Sequence, residues 1–469
     1  MPHVLIVGAG LSGLSVAFRL RQLDPNVQLT ILESRSTPGG NIGTEWHDGF
    51  RVETGPNGFL DNKPGTIQLC RDLGLGDELL AASEGSRKNR YVFLHDRLHK
   101  LPGSPLGILT TPLLSWKGKL ALLSEPFRSR PASIPEDESV AAFAHRRFGK
   151  EAAEIFVDAL VTGIHAGDPE QLSVRAAFPR LVQMEAKHGS VLRGFIAAAK
   201  ERKRAAVARG EPPPPPQRMW SFREGLGRLI AALQDQIGTP VTLGVAVQRI
   251  RWNPDPDRGR WLIEGEGSAR WSADAVVLSC PAHQQAPMLA ELDEPLAREI
   301  SEIPFNRIVV AALGYRQADV PGSHDGFGYI APENTRRDIL GVQWCSSIFP
   351  DRAPPGMVLW RVLCGGVRRA DVYDWDDEAV LRACHQEMRL AMGVRGEPVF
   401  SRIIRWPRAI PQYRLGHPDR VERIEAAAAK HVGLYLTGNS YHGIAMNDVT
   451  EQAERIAERL GENLGLGKS

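Results

Sequence analysis

The stretch VLIVGAGLSGLSVAFRL, residues 4–20, decides the fold of this 469-residue chain. Its apolar start, residues 4–7, is typical of a buried parallel strand, and the glycines behind it have the spacing G-x-G-x-x-G. Gly8 permits a tight turn, Gly10 lets the backbone approach a pyrophosphate, and Gly13 lets the following helix pack on the strand. Because a helix N-terminus attracts anions, the stretch predicts a βαβ unit that binds a dinucleotide.

An acidic residue closes the next predicted strand, LTILE. Glu33 lies twenty residues beyond Gly13, where a carboxylate can accept hydrogen bonds from both ribose hydroxyls and would repel a 2′-phosphate. We therefore expect the ligand to contain an ADP moiety without a 2′-phosphate.

The sequence after Glu33 departs from a simple NAD-binding domain, which would continue into another helix. Instead, Arg35 is followed by a second glycine pair, Gly39 and Gly40, and then by Asn41. A glycine pair at this place resembles the extended ADP-binding stretch of the flavin amine oxidase superfamily.

The far end of the chain carries a matching piece. Residues 433–460, GLYLTGNSYHGIAMNDVTEQAERIAERL, predict a strand, a turn at Gly438 and Asn439, and an amphipathic helix behind Gly443. Exposed backbone N–H groups at residues 444–446 would form a second anion site, for the flavin phosphate. A nucleotide domain assembled from both chain ends is what this superfamily shows; a C-terminal capping helix after an ordinary turn is the alternative.

Composition excludes several other classes of protein. The 57 basic and 55 acidic residues leave a formal charge of +2, without the footprint of a nucleic-acid-binding chain. The five cysteines are odd in number and lack metal or redox spacing, which predicts buried thiols in a reducing compartment and no metal site. An early first strand and the lack of a long apolar run predict a cytoplasmic protein, or one bound to a membrane from the cytoplasmic side.

More specific stretches narrow the resemblance. They are ETGPNGFL, KNRYVFL, LVTGIHAGDPEQLSVRAAFP, MEAKHGSVLRG, DGFGYIAP, RWPRAIPQY and GNSYHGIAMND, in the family's order over nearly the whole chain. The chain resembles the oxygen-dependent, FAD-containing protoporphyrinogen oxidases of heme biosynthesis. One departure is Asn41, where related amine oxidases usually have Arg after the glycine pair, which puts that one phosphate contact in doubt.

The resemblance implies a fold and its domains. We expect an α/β protein with a Rossmann-like FAD-binding domain, an antiparallel-sheet substrate domain and an α-helical insert that docks on a membrane. The FAD-binding domain would be discontinuous, with residues 1–80, 218–288 and 405–469. Residues 81–217 would form the insert, and residues 289–404 the substrate domain.

The resemblance also implies the chemistry. The family removes six hydrogens from a porphyrinogen in three two-electron steps, each a hydride transfer to flavin N5, and O2 reoxidises the flavin to give H2O2. The cofactor carries that chemistry, and the protein supplies an apolar slot and orientation. His165 and His442 lie near the family's motifs, but we assign no catalytic acid or base.

By the same resemblance, Val247 would lie against the adenine side of the cofactor and Trp406 beside the isoalloxazine, where an ordinary packed Trp is the alternative. The residues expected at the cofactor are Gly8, Gly10, Leu11, Ser12, Gly13, Glu33, Ser34, Arg35, Gly39, Gly40, Asn41, Gly55, Pro56, Asn57, Gly58, Val247, Trp406, Gly438, Asn439, Ile444, Ala445 and Met446.

Five residues are implied to bind the substrate. Arg90 matches the family arginine that pairs with a propionate, in a fork that Lys would not reproduce; without the resemblance it would be a solvated surface residue. Phe327, Ile330 and Leu363 correspond to side chains that sandwich the tetrapyrrole, and would otherwise be core strand positions. Gly163 corresponds to a glycine whose carbonyl lies near the ring nitrogens, and would otherwise be a helix C-cap.

Relatives dock on a membrane through the helical insert. Here the apolar residues 106–116, with Lys117 and Lys119 behind them, and the basic residues 200–209 could lie on an anionic surface. A core helix with a solvated charged face is the alternative. A homodimer and a contact with the next heme-pathway enzyme are further expectations.

Three functions stay open at this point. The favoured substrate is protoporphyrinogen IX. Bacterial relatives oxidise coproporphyrinogen III, the same ring with four propionates, and the number of cationic groups at the slot would decide between the two. A flavin-binding scaffold without turnover is the alternative from a different class.

Overall fold

A computed structural model describes residues 1–128, 136–208, 210, 217–255 and 259–467. The proline run at residues 212–216 and the last basic residue of the 200–209 cluster lie outside these ranges.

The described strands follow one another in chain order: β1 (His3–Val7), β2 (Gln28–Leu32), β3 (Thr44–His47), β4 (Phe50–Glu53), β5 (Phe59–Leu60), β6 (Leu79–Ala81), β7 (Arg90–Leu94), β8 (Arg97–Lys100), β9 (Met219–Phe222), β10 (Val241–Thr242), β11 (Val247–Trp252), β12 (Trp261–Gly265), β13 (Arg270–Ala273), β14 (Ala275–Leu278), β15 (Ile308–Arg316), β16 (Gly328–Ile330), β17 (Ile339–Gln343), β18 (Met357–Gly365), β19 (Phe400–Trp406) and β20 (Leu434–Leu436).

The described α-helices, in the same order, are α1 (Leu11–Leu23), α2 (Gly65–Asp72), α3 (Glu84–Lys88), α4 (Pro105–Thr110), α5 (Trp116–Leu123), α6 (Val140–Phe148), α7 (Lys150–Ala152), α8 (Asp158–His165), α9 (Val174–Ala177), α10 (Pro179–His188), α11 (Val191–Ala208), α12 (Gly227–Ile237), α13 (Ala282–Leu289), α14 (Glu294–Ser301), α15 (Cys345–Ile348), α16 (Asp377–Met392), α17 (His417–Ala428) and α18 (Met446–Leu464).

Both ends of the chain meet in one parallel sheet of order β10-β2-β1-β14-β20. β1 and β14 are apolar and almost fully buried, as expected for central strands covered on both faces. The N-terminal helix α1 packs on the C-terminal helix α18 in the same apolar core, which also contains α12. The sheet is Rossmann-like and joins strands from both ends of the chain, as the sequence predicts, and the binding of a nucleotide by it stays a prediction.

A second sheet, of seven strands, has the order β19-β15-β18-β17-β16-β7-β8. One face packs on α16 through a core that includes Tyr315, Trp360 and Met388. Because strand side chains alternate between faces, the neighbouring residues turn to the opposite face, toward the nucleotide-binding loops.

The last two strands of this sheet come from residues 90–100, which the sequence-based boundaries assign to the helical insert. β7 pairs in parallel with β16, and the β7–β8 turn lies at His95 and Asp96, both with positive φ. Arg97 already begins β8. The helical segment proper therefore begins after β8, and the division of the chain into domains stays a prediction.

The helices α4 to α11 form two small apolar cores. Between them, Arg147 is fully buried and bonded to the equally buried Glu125, whose carboxylate also accepts from the Val191 and Leu192 N–H groups. Within the described ranges, no helix is both long and apolar enough to span a membrane.

Candidate active site

The glycine turn has the geometry that its sequence predicts. Gly8 has φ +105°, and α1 begins directly after Gly10. A Cβ at Gly13 would lie 2.1 Å from the Gly8 carbonyl oxygen, so only glycine permits this packing of helix on turn. The Ser12 hydroxyl lies 3.3 Å from the Thr437 hydroxyl, which follows β20, so Leu11 and Ser12 begin the helix beside the C-terminal strand.

The carboxylate of Glu33 lies at the end of β2 and is buried. It accepts hydrogen bonds from the N–H groups of Ala9, at 2.8 Å, and Arg35, at 2.9 Å. The backbone of Glu33 is hydrogen-bonded to the segment that precedes Val247, which is a buried residue of β11. The Ser34 hydroxyl donates a third, longer bond to the Glu33 carboxylate at 3.4 Å. Since a carboxylate offers about four acceptor positions, these bonds still leave capacity for a ribose. The ribose contact itself and that of the exposed Ser34 stay predictions.

The second glycine pair closes onto the first turn. The Gly39 N–H donates to the Ala9 carbonyl at 2.8 Å, and the Arg35 guanidinium donates to the Gly40 carbonyl at 2.8 Å. A Cβ at Gly40 would lie 3.2 Å from the Cα of Gly10. The two turns therefore present bare backbone to a common space.

The third cofactor segment, residues 54–58, connects the glycine loops to the seven-stranded sheet. A Cβ at Gly55 would lie 1.8 Å from the Asn41 carbonyl oxygen, and one at Gly58 would lie 2.7 Å from the Trp220 carbonyl oxygen. The Trp406 indole N–H donates to the Thr54 carbonyl at 2.9 Å. The segment, which includes Pro56, is thus held from both sides.

The C-terminal loop differs from the sequence prediction in one contact. Gly438 has φ +112°, and the Asn439 carbonyl accepts from the Tyr413 hydroxyl at 2.5 Å. The Ala445 N–H, however, donates to the Asp448 carboxylate at 3.2 Å. We expected exposed N–H groups from Ile444 to Met446, but a carboxylate already occupies the middle one.

The face of the seven-stranded sheet that lies opposite α16 is largely apolar, and we call the part of it formed by Ile330, Gly341 and Leu363 the shelf. Strand register places Leu363, Gly341 and Ile330 side by side on adjacent strands. A Cβ at Gly341 would lie 2.5 Å from the Tyr329 carbonyl oxygen, so only glycine fits between the two half-buried side chains. A Cβ at Gly163 would lie 2.6 Å from the Ile330 Cδ1. Gly163 lies inside α8, whose C-cap is Ala166 with φ +44°, so the alternative of a C-cap glycine is wrong.

Arg90 stands at the end of this shelf. It pairs with Gly328 across β7 and β16, and its guanidinium lies 4.7 Å from the centroid of the Phe327 ring. Its side chain is accessible to solvent, yet surrounding protein atoms lower the pKa of the guanidinium by desolvation, as expected inside a cleft. Within the described residues, no carboxylate lies within 4.0 Å of it, which suits a site for an anionic group.

The two histidines near the motifs have different surroundings. His165 is buried beside the Phe178 and Tyr413 rings, and desolvation lowers its pKa to about 4, so it is neutral at neutral pH. His442 is exposed and lies 2.6 Å from the Glu425 carboxylate. In the described ranges, no group of three or more His, Cys, Asp or Glu side chains converges as a metal site would require.

Sequence reasoning missed one residue of this face, Arg361. It lies two residues before Leu363 on β18 and donates to the Gly55 carbonyl at 2.7 Å. The missed signal is the residue type, because Arg361 is a charged residue between apolar neighbours in the strand MVLWRVLCG.

Two observations fit FAD to this site. The bare backbone at Gly10 and Gly40 leaves a cradle for a pyrophosphate. Asn57 is buried, and neither polar atom of its amide has a hydrogen-bond partner in the described structure. When bound, FAD supplies the hydride-accepting chemistry. The glycine loops would hold its ADP part, and residues 54–58 would hold its ring beside the shelf.

Comparison with known proteins agrees with this assignment. Residues 11–461 match the family model of flavin containing amine oxidoreductases. The chain is 29% identical over 466 residues to the coproporphyrinogen III oxidase of Bacillus subtilis (strain 168), covering 96% of each chain. It is 30% identical to the protoporphyrinogen oxidase of Homo sapiens, covering 97% of each chain.

Two solved structures share the fold. A protein from Exiguobacterium sp. 255-15, described only provisionally as a protoporphyrinogen oxidase, superposes with a TM-score of 0.82 at 23% identity, over 99% of both chains. Reduced UDP-galactopyranose mutase superposes with a TM-score of 0.73 at 15% identity, over 100% of this chain and 97% of that one. At these identities, the likeness establishes the fold alone.

Fold and site together define an FAD-dependent oxidoreductase with α/β architecture and several sheets. The chain belongs to the family of flavin containing amine oxidoreductases.

The substitution Gly10→Val separates cofactor binding from folding. Gly10 has φ −79°, which valine adopts, and the nearest atom to an added Cβ is the Gly40 Cα at 3.7 Å. We expect a folded protein with at least about tenfold less flavin per chain, because the side chain fills the pyrophosphate position. Flavin absorbance relative to protein absorbance measures this, with the midpoint of thermal unfolding as the test of folding.

Gly103→Val is the matched control, because no atom lies within 4 Å of a Cβ built there. It should keep its flavin. A Gly10→Val protein that purifies with a full complement of FAD would contradict the assignment of the cradle.

Proposed function

We propose that this chain oxidises protoporphyrinogen IX to protoporphyrin IX in heme biosynthesis, with FAD as the hydride acceptor and O2 as the final acceptor, releasing H2O2. The shelf next to the cofactor loops is the observation that carries the proposal. Ile330 and Leu363 offer apolar contacts to a large flat ring, and Gly341 adds no side chain between them. Arg90 supplies a cation without a carboxylate partner among the described residues.

Each of these residues contributes to binding or orientation. A planar guanidinium can hold a propionate in two parallel hydrogen bonds, which fixes the rotation of the ring on the shelf. The apolar side chains exclude water and hold a ring carbon against the cofactor, at the contact distance that hydride transfer requires. The neutral, buried His165 is not needed for these roles, and no proton-accepting side chain is assigned.

Coproporphyrinogen III is the second candidate substrate, because the relatives from Bacillus subtilis and Staphylococcus aureus are named coproporphyrinogen III oxidases. Its two extra propionates call for more cations at the shelf. Three arginines line a small cavity with Ala331, the residue after Ile330, but Arg337, Arg368 and Arg369 are bonded to Glu387, Asp158 and Asp338 respectively. Since carboxylates already neutralise these three cations, they add no free charge for two further propionates. Arg361, also on the shelf face, is buried and bonded to Gly55, so the described charges favour the substrate with two propionates.

The direct test is turnover of each porphyrinogen. We expect air-dependent formation of fluorescent porphyrin from protoporphyrinogen IX, with a higher kcat/KM than from coproporphyrinogen III. A reversed preference would replace the proposed substrate by the second candidate. If the fluorescence never rises above the autoxidation blank with either substrate, the chain is instead a flavin-binding scaffold without turnover.

Arg90→Ala tests how the substrate is held. We expect the FAD to stay bound, and the KM for protoporphyrinogen IX to rise about tenfold or more at nearly constant kcat, because a charge-assisted hydrogen bond is lost. Arg90→Lys keeps the charge without the planar fork, so its KM should lie between that of the wild type and that of Arg90→Ala. An Arg90→Ala enzyme with the KM of the wild type would refute the assignment of the propionate.

We further propose that the helical segment attaches to the cytoplasmic face of a membrane. Its exposed aromatic rings lie near cations: Phe127 is 6.0 Å from the Arg193 guanidinium, and Phe195 is 5.8 Å from that of Arg180. Rings paired with cations are typical of the interface between water and lipid. The exposed large apolar side chains of this segment are Leu106, Leu109, Trp116, Leu120, Phe127, Leu160, Ile164, Phe195, Ile196 and Val207.

The structure revises the charges expected on this surface. Lys117 is exposed, but Lys119 is buried against the Trp116 ring, 4.7 Å from its centroid, so it is not a free surface cation. Lys200, Arg202, Lys203 and Arg204 are exposed on α11 and supply the positive charge instead. A homodimer and a contact with the next enzyme of the pathway stay predictions.

Flotation with anionic vesicles of phosphatidylglycerol and phosphatidylcholine at low salt tests the attachment. We expect the wild-type protein to float, and Trp116→Glu/Leu120→Glu to stay at the bottom, because these side chains, 75% and 71% exposed, share one face of α5. Val432→Glu, which changes a residue that is 58% exposed outside the helical segment, is the control and should float. A wild-type protein that stays at the bottom would refute the proposal.

A further inference from the structure

Arg361 is a buried charge without a carboxylate partner. Two other buried arginines have one: Arg147 bonds to Glu125, and Arg352 lies 3.1 Å from the Glu53 carboxylate. Arg361 is 2% exposed, and among the described residues no carboxylate lies within 4.0 Å of it. The buried Glu53 carboxylate acts on it only from beyond that distance and already pairs with Arg352. The charge of Arg361 is therefore only partly balanced, an arrangement that is costly unless an anionic or polar group completes it.

The hydrogen bonds of Arg361 leave part of its donor capacity unused. One terminal N–H donates to the Gly55 carbonyl at 2.7 Å, and the other reaches the Gln343 side-chain oxygen only at 3.5 Å. The Nε–H has no partner in the described structure. A guanidinium carries five N–H donors, so several remain for a ligand.

The position of Arg361 relates it to both halves of the site. It points to the same face of β18 as Leu363, two residues along, and therefore toward the shelf. Its bond to Gly55 fixes the segment that also carries the buried, unpartnered amide of Asn57. Because hydride transfer requires contact between substrate and isoalloxazine, the ring must lie where this segment meets the shelf.

The free groups match one end of the isoalloxazine. The Asn57 amide offers a donor and an acceptor side by side, which complements an N–H next to a carbonyl. Only the pyrimidine end of the ring carries such groups, since the opposite end is a dimethylbenzene. The carbonyl and nitrogen of that end also take the negative charge when the ring accepts a hydride.

On the basis of the proposed function, we propose that Arg361 binds the pyrimidine edge of the flavin together with Asn57, and that its fixed positive charge stabilises the reduced flavin. The positive charge is in place before the reaction, so no reorganisation is needed as the negative charge develops. The alternative is that Arg361 only bonds to Gly55, in which case its role is purely structural. The two roles differ in their effect on the reduction potential.

The experiment compares Arg361→Met and Arg361→Lys with the wild-type holoenzyme. Sulfite adds to oxidised flavin and leaves a negative charge on the pyrimidine end, so its Kd reports the same stabilisation. For Arg361→Met, we expect about tenfold weaker sulfite binding and a potential about 30 mV more negative, the equivalent of that factor for two electrons. Arg361→Lys keeps the charge and should restore most of both values.

Arg402→Met is the matched control. Arg402 lies in the same cross-strand row as Arg361, but it pairs with the Glu45 carboxylate at the surface and should leave both readouts unchanged. If Arg361→Met binds FAD with a wild-type potential and sulfite affinity, the proposal is wrong. If Arg361→Met does not hold FAD, the reduction potential of the flavin in Arg361→Lys decides. A lysine variant whose potential lies about 30 mV below that of the wild type would also overturn the proposal.

These readouts need bound flavin but no turnover. A wild-type protein that holds FAD and oxidises neither porphyrinogen would overturn the proposed function, while the test of Arg361 could still succeed or fail on its own.

Discussion

The close approach of two glycine turns is the constraint on which the rest of the site depends. The Gly39 N–H bonds to the Ala9 carbonyl, and the Ala9 N–H bonds to the Glu33 carboxylate, so one residue, Ala9, connects the first turn, the second turn and the end of β2. Any side chain at Gly13 would collide with the Gly8 carbonyl and force these elements apart. The phosphate cradle thus exists only because two separate glycine turns meet without side chains.

The seven-stranded sheet extends this constraint to the substrate. Trp406 and Arg361, on β19 and β18, donate to the carbonyls of Thr54 and Gly55, so the shelf is fixed to the segment that follows the glycine loops. The face that packs on α16 is mostly apolar, with Arg405 of β19 bonded to Asp377 of that helix. The face toward the cofactor carries Arg90, Gln343 and Arg361 among apolar residues. One sheet therefore serves as core on one side and as binding surface on the other.

The sequence predicted the parts of the site that are local in the chain. The turn at Gly8 to Gly13 and the acidic end of β2 need only strand, turn and helix in succession, and both are confirmed. The shelf needs the register of strands far apart in sequence, so Gly341 could not be placed beside Ile330 and Leu363 before the pairing was known. For the same reason, β7 and β8 were assigned to the helical insert.

The surroundings of individual side chains also could not be predicted from the sequence. Lys119 is expected from the sequence to be a surface cation, but it packs on Trp116. The bond between the Asp448 carboxylate and the Ala445 N–H has no signature in composition or spacing. Arg361 was visible only as an unusual residue in an apolar strand. Its lack of a carboxylate partner is a three-dimensional property.

The central claim is that both chain ends and the shelf enclose one FAD. The most direct measurement is the visible absorption spectrum of the freshly purified protein, with flavin released and quantified per chain. We expect the two bands of oxidised flavin and a ratio near one FAD per chain. A colourless protein that takes up no added FAD would contradict it.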